Sequence, residues 1–108
     1  MIYEVLLTDD ATEDLNDIYQ YIEANDCLES ANYVLDNIEA LLESLSEQPL
    51  RGNYPSELAA LGIKEFRQIL FKPYRLIYGI TGDQTVIYCI LDGRRDIQSV
   101  LERRLLSY

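Results

Sequence analysis

Between Leu45 and Ile63 the spacing of apolar residues changes from that of a helix to that of a strand, and such a chain must build a fold that keeps the two kinds of element apart. Ahead of the change, Ala31, Val34, Ile38, Leu41 and Leu45 recur at intervals of three and four, with Leu35 and Leu42 widening the stripe. That spacing lines one face of a helix, which Pro49 keeps from running on. Ala11, Leu15, Ile18 and Ile22 give an earlier helix the same kind of face. Asp10 and Glu13 predict a capping-box start for it, and Asn25-Asp26 interrupts it. Two helices joined by so short a polar link pair as an antiparallel hairpin.

Residues 48–62 read as a loop with a short helical turn over 56–61 that Gly62 closes. From there the period is two. Residues 63–71 predict a strand that Lys72-Pro73 breaks or bulges, because proline cannot donate to a ladder. Residues 74–80 predict the next, with Tyr74, Leu76, Tyr78 and Ile80 on one face and Arg75, Ile77 and Gly79 on the other. A turn over 81–84 leads to residues 85–91, apolar on both faces and therefore a central strand. Residues 2–7, IYEVLL, form a first strand that has to join the same sheet, since alone it leaves its backbone groups unpaired. After Gly93, Asp96 caps a last short helix carrying Ile97, Val100, Leu101 and Leu105 on one face. The order β-α-α-β-β-β-α predicts one α+β domain over residues 1–108: an N-terminal strand, a helical hairpin, a three-stranded antiparallel meander and a short C-terminal helix.

Charge divides the chain along the same line. Residues 1–50 hold thirteen Asp and Glu and no Lys or Arg, whereas residues 51–108 hold nine Lys and Arg against six Asp and Glu, for a net charge of −10. So acidic a chain repels a polyanion, which argues against strong direct binding of nucleic acid. The acids of the hairpin read as its solvated outer faces. The first ten residues lack the basic start of a signal peptide, and no apolar run is long enough to span a membrane, so the expected compartment is the cytoplasm. Cys27 and Cys89 show no paired spacing, and with no histidine in the chain neither a metal nor any other cofactor is expected; buried free thiols are the reading.

The absent histidine also removes Ser-His-Asp, Cys-His and histidine-base chemistry, and neither phosphate-binding glycine motif occurs. What remains is a set of cations and tyrosines in the second half: Lys64, Arg67, Lys72, Arg75, Arg94 and Arg95, with Tyr54, Tyr74, Tyr78 and Tyr88. Arg67 and Arg75 flank the Lys72-Pro73 break, and Arg94 and Arg95 leave the central strand, so the four are expected to converge on one surface. Arginine forks suit a carboxylate or phosphate. The competing role is internal: Arg94 or Arg95 against Asp92 or Asp96, and Arg103 or Arg104 against the hairpin or the last helix's dipole.

Residues 66–105 resemble the C-terminal part of the RelE/ParE superfamily of bacterial toxins. The resemblance lies in "PYRLIY" (73–78), a tight turn, an apolar strand, and "GRRD" (93–96) opening a last helix. The first strand, the helix "DDATEDLNDIYQYI" and a second helix ending near "LRG" (50–52) extend it over nearly the whole chain. It implies an α+β toxin of a type II toxin-antitoxin pair, neutralised by tight binding of a small antitoxin. In the RelE branch such toxins cleave mRNA on the ribosome with a basic cluster and often a terminal tyrosine or histidine. In the ParE branch they poison DNA gyrase by binding and lack that catalytic set. Without histidine, and acidic overall, this sequence is closer to the ParE branch, for which Arg67, Arg75, Arg94 and Arg95 are the residues set to meet gyrase.

The ribosome-dependent alternative would use Lys64, Arg67, Arg75 and Arg94, with Tyr108 or Tyr88 as acid or base. A third alternative is a binding module without toxicity of its own, stable as the antitoxin complex. The antitoxin is expected to lay an amphipathic helix on apolar surface near Tyr19, Tyr33, Leu50 and Tyr54. The assemblies this leaves open are a dimer and a heterotetramer with the antitoxin.

Overall fold

The structure, a computed structural model, describes residues 2–105. Strand β1 (Glu4–Leu7) leads into helices α1 (Asp9–Asn25) and α2 (Leu28–Glu47). A short helix α3 (Ser56–Ala59) precedes β2 (Phe66–Phe71), β3 (Tyr74–Thr81) and β4 (Gln84–Asp92), and α4 (Ile97–Leu105) closes the chain. The four strands form one sheet in the order β1-β4-β3-β2. β1 runs parallel to β4 and the meander is antiparallel, so β4 is central, as its two apolar faces require.

Local chemistry sets the boundaries. Thr8, one residue before the helix, caps α1 by accepting the Ala11 amide at 3.1 Å, and Asp10 sits instead in the first turn. A threonine hydroxyl reaches the third amide on from an extended backbone, which Thr8 has and Asp10, already helical, does not. Cys27 caps α2 by accepting the Ser30 amide at 3.4 Å, so this thiol is exposed, not buried as its residue type suggests; Cys89 is buried. β2 begins at Phe66, because residues 63–65 still belong to the turn after α3, where the Ile63 amide returns to the Leu58 carbonyl. Lys72-Pro73 breaks the run, as expected, and introduces no bulge. It is the two-residue turn joining β2 to β3.

The sheet has two covered faces. On one, Leu76, Tyr78, Ile87, Ile90 and Ile69 pack against Ala11, Ile38, Leu42 and Leu45 of the hairpin. On the other, Ile97, Val100 and Leu101 of α4 cover Ile77, Cys89 and Leu91, with Leu58 of α3 beside them. Each such buried aliphatic side chain stabilises the fold by about 2 kcal/mol. The register of β4 against β3 slips once, between Ile77 and Tyr78, and Tyr88 is the extra residue on β4. Its ring stands edge-on to Phe66 at 5.6 Å.

Candidate functional site

The end of β4 carries the most exposed arginine chemistry. Gly93 donates its amide to the Pro73 carbonyl at 2.7 Å, and a Cβ there would lie 3.1 Å from that oxygen and 3.2 Å from Arg75 Cδ. Glycine lets the strand end close to the β2–β3 turn without pressing on it. Arg94 and Arg95 follow on the surface, and Asp96 accepts the Ser99 amide at 3.2 Å to start α4. The side chain of Arg94 is 89% exposed and folds back on Asp92, with Nε and Nη2 donating to its two oxygens at 3.0 and 2.9 Å. These hydrogen bonds, joined by one from the Arg94 amide, hold the Asp92 carboxyl down at about 2. Arg95 is exposed, and its guanidinium makes no hydrogen bond or ion pair among the described residues.

Beside these arginines a groove of about 370 Å³ opens between α1 and the sheet, with Tyr21 and Asp17 on one wall and Tyr74 and Asp92 on the other. Burial, with Asp92 and Tyr21 adding to it, pushes the Tyr74 hydroxyl above its usual range, so it stays a neutral donor at neutral pH. Two exposed cations, two carboxylates and two phenols in one open groove can bind a mixed polar surface.

Two of the other expected cations, Arg75 and Arg67, serve the fold. Arg75 is held on the α4 side of the sheet: Nη1 and Nη2 donate to the two Glu57 oxygens at 2.8 and 2.6 Å, and Nε to Gln68 Oε1 at 2.9 Å. The Glu57 carboxyl is lowered in turn, chiefly by those bonds. Arg67 pairs across the ladder with Tyr78, which places it on the hairpin side. There it donates to the Gly52 carbonyl at 2.8 Å and its guanidinium lies 4.6 Å over the Tyr54 ring. Arg67 and Arg75 are thus on opposite faces, and the expected convergence of four arginines does not form: Arg67 shares the face of its partner Tyr78, and Arg75, three residues from Tyr78 along β3, points to the other. Lys64 is exposed and lines a second pocket with Tyr54 and Arg67.

Among the tyrosines, Tyr78 is fully buried, donating to the Pro49 carbonyl at 2.8 Å and accepting the Gly52 amide at 2.9 Å, a structural knot rather than a reactive group. Tyr19 donates to Asn32 across the hairpin at 2.8 Å. Tyr33 is exposed against Phe71, and Leu50 and Tyr54 are exposed on the loop that Arg67 fastens, so these expected contact residues fall in two patches. Tyr108 lies outside the described residues, as does the side chain of Leu105.

One buried acid escaped the sequence reading. Asp14 accepts the Ile90 amide at 3.0 Å and both Arg104 terminal nitrogens at 2.7 Å, while Arg104 also donates to the Tyr88 carbonyl at 2.9 Å. The Arg104 guanidinium is held firmly charged by Asp14. Its signal was present: Asp14 sits three residues after Ala11 and four before Ile18, inside the apolar stripe rather than on the solvated face.

The sequence pattern of the ParE toxin of type II toxin-antitoxin system, parDE, matches residues 5–97, from β1 to the first residue of α4. This chain belongs to the ParE toxin family. Toxin ParE3 of Caulobacter vibrioides is 29% identical over 100 residues, covering 93% of this chain and 96% of the relative. Among solved structures, the chromosomal ParDE TA system from P. aeruginosa superposes with a TM-score of 0.71 at 17% identity, over 84% of this chain and 96% of that one. The RelBE2 toxin-antitoxin complex from Mycobacterium tuberculosis does so with a TM-score of 0.61 at 22% identity, over 85% and 92%. The ParE fold expected from the sequence, with its strand, hairpin, meander and last helix, is the fold observed. No helix of the described residues is long and apolar enough to cross a membrane.

Proposed function

We propose that this ParE-family toxin acts in the cytoplasm by binding DNA gyrase through the surface at the end of β4, and that a small cognate antitoxin holds it inactive. The observation that carries this reading is the split between its arginines: Arg94 and Arg95 project into solvent beside an open groove, whereas Arg75 and Arg104 are consumed by Glu57 and Asp14. Exposed forks beside tyrosines suit recognition of a macromolecular surface. A nuclease would need its cations gathered on one bound phosphate, and Arg67 and Arg75 stand on opposite faces of the sheet.

The test adds purified chain to gyrase and supercoiled DNA. Trapped cleavage complexes that vanish when the antitoxin is added support the reading. Normal supercoiling in excess toxin rejects gyrase as the target, and codon-phased cuts in ribosome-bound mRNA would move the assignment to the nuclease branch.

A further inference from the structure

The groove at the end of β4 is lined by charges of both signs, and most of them cancel within the chain. Asp14 is held by both terminal nitrogens of Arg104 at 2.7 Å, and Asp92 by the Arg94 fork at 3.0 and 2.9 Å. Two groups are left over. Asp17, exposed on α1, forms no ion pair among the described residues, and Arg95, exposed after β4, forms none either. What remains after internal pairing is one free anion on the α1 wall and one free cation at the end of β4, so the groove presents both signs rather than one.

Helical spacing builds the anionic wall. Asp17, Ile18 and Tyr21 follow Asp14 by three, four and seven residues, which puts them on one face of α1, with Asp17 and Tyr21 a turn apart as neighbours. Tyr21 is 69% exposed, and its hydroxyl makes no hydrogen bond among the described residues. A carboxylate and a ring side by side, neither occupied from within the chain, suit a Lys or Arg side chain whose charged head meets Asp17 while its body lies over the ring. Arg95 presents the complementary need, a carboxylate for its fork.

We infer that this groove selects a segment of the target that carries both signs of charge: a Lys or Arg that enters against Asp17 and Tyr21, and an Asp or Glu that meets Arg95. The inference rests on the gyrase reading above and gives α1 a part in it, with Asp17 and Tyr21 setting specificity. A nucleic-acid strand brings only negative charge, which Asp17 repels. A second copy of this chain is poor in cations, with nine Lys and Arg against nineteen Asp and Glu. A mixed-charge protein segment is the occupant that satisfies both leftover groups.

The experiment measures binding of the full chain to gyrase at low and high salt for two charge reversals at exposed positions, Asp17→Lys and Arg95→Glu, with unfolding transitions as the check on folding. Asp17→Lys adds two positive charges and Arg95→Glu two negative ones, so an attraction set by overall charge moves the two affinities in opposite directions. A groove that takes both charges of one segment loses about tenfold at low salt with either reversal, and less at high salt. Tyr21→Leu should weaken binding too, and by less once Asp17 is reversed, because the two hold one side chain. Should a reversal unfold the chain, Asp17→Asn and Arg95→Gln keep the test, with smaller losses of the same sign. Affinity that is unchanged or raised by substitution of Asp17 overturns the inference and leaves gyrase as the target. Self-association of the free chain that disappears in Asp17→Lys while gyrase binding stays would seat a second copy in the groove, and overturns it as well. Failure of the unaltered chain to bind gyrase overturns both readings.

Discussion

Asp14 on α1 and Arg104 on α4, 90 residues apart in the chain, meet through two parallel hydrogen bonds of 2.7 Å. α1 packs on one face of the sheet and α4 on the other, so this pair reaches past the sheet and ties the two layers together at β4. The Asp14 side chain is 9% exposed and that of Arg104 18%, so water screens the contact little. Asp14→Ala removes the carboxylate that holds the guanidinium by two hydrogen bonds and the acceptor of the Ile90 amide, and should cost about 3 kcal/mol. A double-mutant cycle with Arg104→Met, read by urea unfolding, should return a coupling of about 2 kcal/mol. Additive losses would show that the pair holds nothing together.

Asp92 offers a site-resolved pH measurement. Its carboxyl lies below its ordinary value of 3.8, at about 2, because Arg94 hydrogen-bonds the charged form. A depressed acid favours the folded contact above pH 4 and loses that support as pH falls from about 4 towards 2. An NMR titration should therefore place the Asp92 midpoint near 2, and Arg94→Ala should raise it towards the ordinary carboxylate range, the backbone amide of residue 94 keeping part of the shift. A midpoint unmoved by that substitution would mean that the Arg94 fork is not closed in solution.

Thr85 lies on central strand β4 with its hydroxyl fully buried and, among the described residues, without a hydrogen-bond partner. Valine has nearly the same shape and no group to satisfy, so Thr85→Val should raise stability by about 1 kcal/mol. Thermal unfolding checks this directly. A loss of stability would reveal a water bonded to that hydroxyl.

Much of this architecture was legible before any coordinate, and the reasons are particular. The 3.6-residue stripe of α2 and the two apolar faces of β4 are repeated patterns that many residues enforce together, so the hairpin and the central strand could be placed. The α1 cap was read at Asp10, whereas Thr8, two residues earlier and also a residue type that caps helices well, takes the position, a difference that only backbone angles decide. The site was harder to read because pairing partners lie far off in sequence. Nothing near Arg75 announces Glu57, 18 residues away; Arg104 could be assigned to the acidic hairpin, as it proves, but nothing near it singles out Asp14. Arg94 and Asp92, two residues apart, were legible as a pair because the chain itself brings them together.

That distinction yields a comparison between two arginines of one chain. Arg75 has a side chain 13% exposed and holds Glu57, itself 34% exposed, against the sheet. Its replacement by alanine should cost about 1 to 2 kcal/mol, a value reduced because water screens the exposed carboxylate. Growth arrest on expression should then weaken in step with the loss of folded protein, and lowering the temperature should recover it. Arg94 and Arg95 touch nothing that the core needs, so alanine at both should leave the unfolding transition where it is. If the end of β4 is the surface that meets gyrase, that double variant should lose both growth arrest and trapped cleavage complexes while still forming the antitoxin complex. Full toxicity in the double variant would remove this surface from the interaction and leave the pocket of Lys64, Arg67 and Tyr54 as the next place to look.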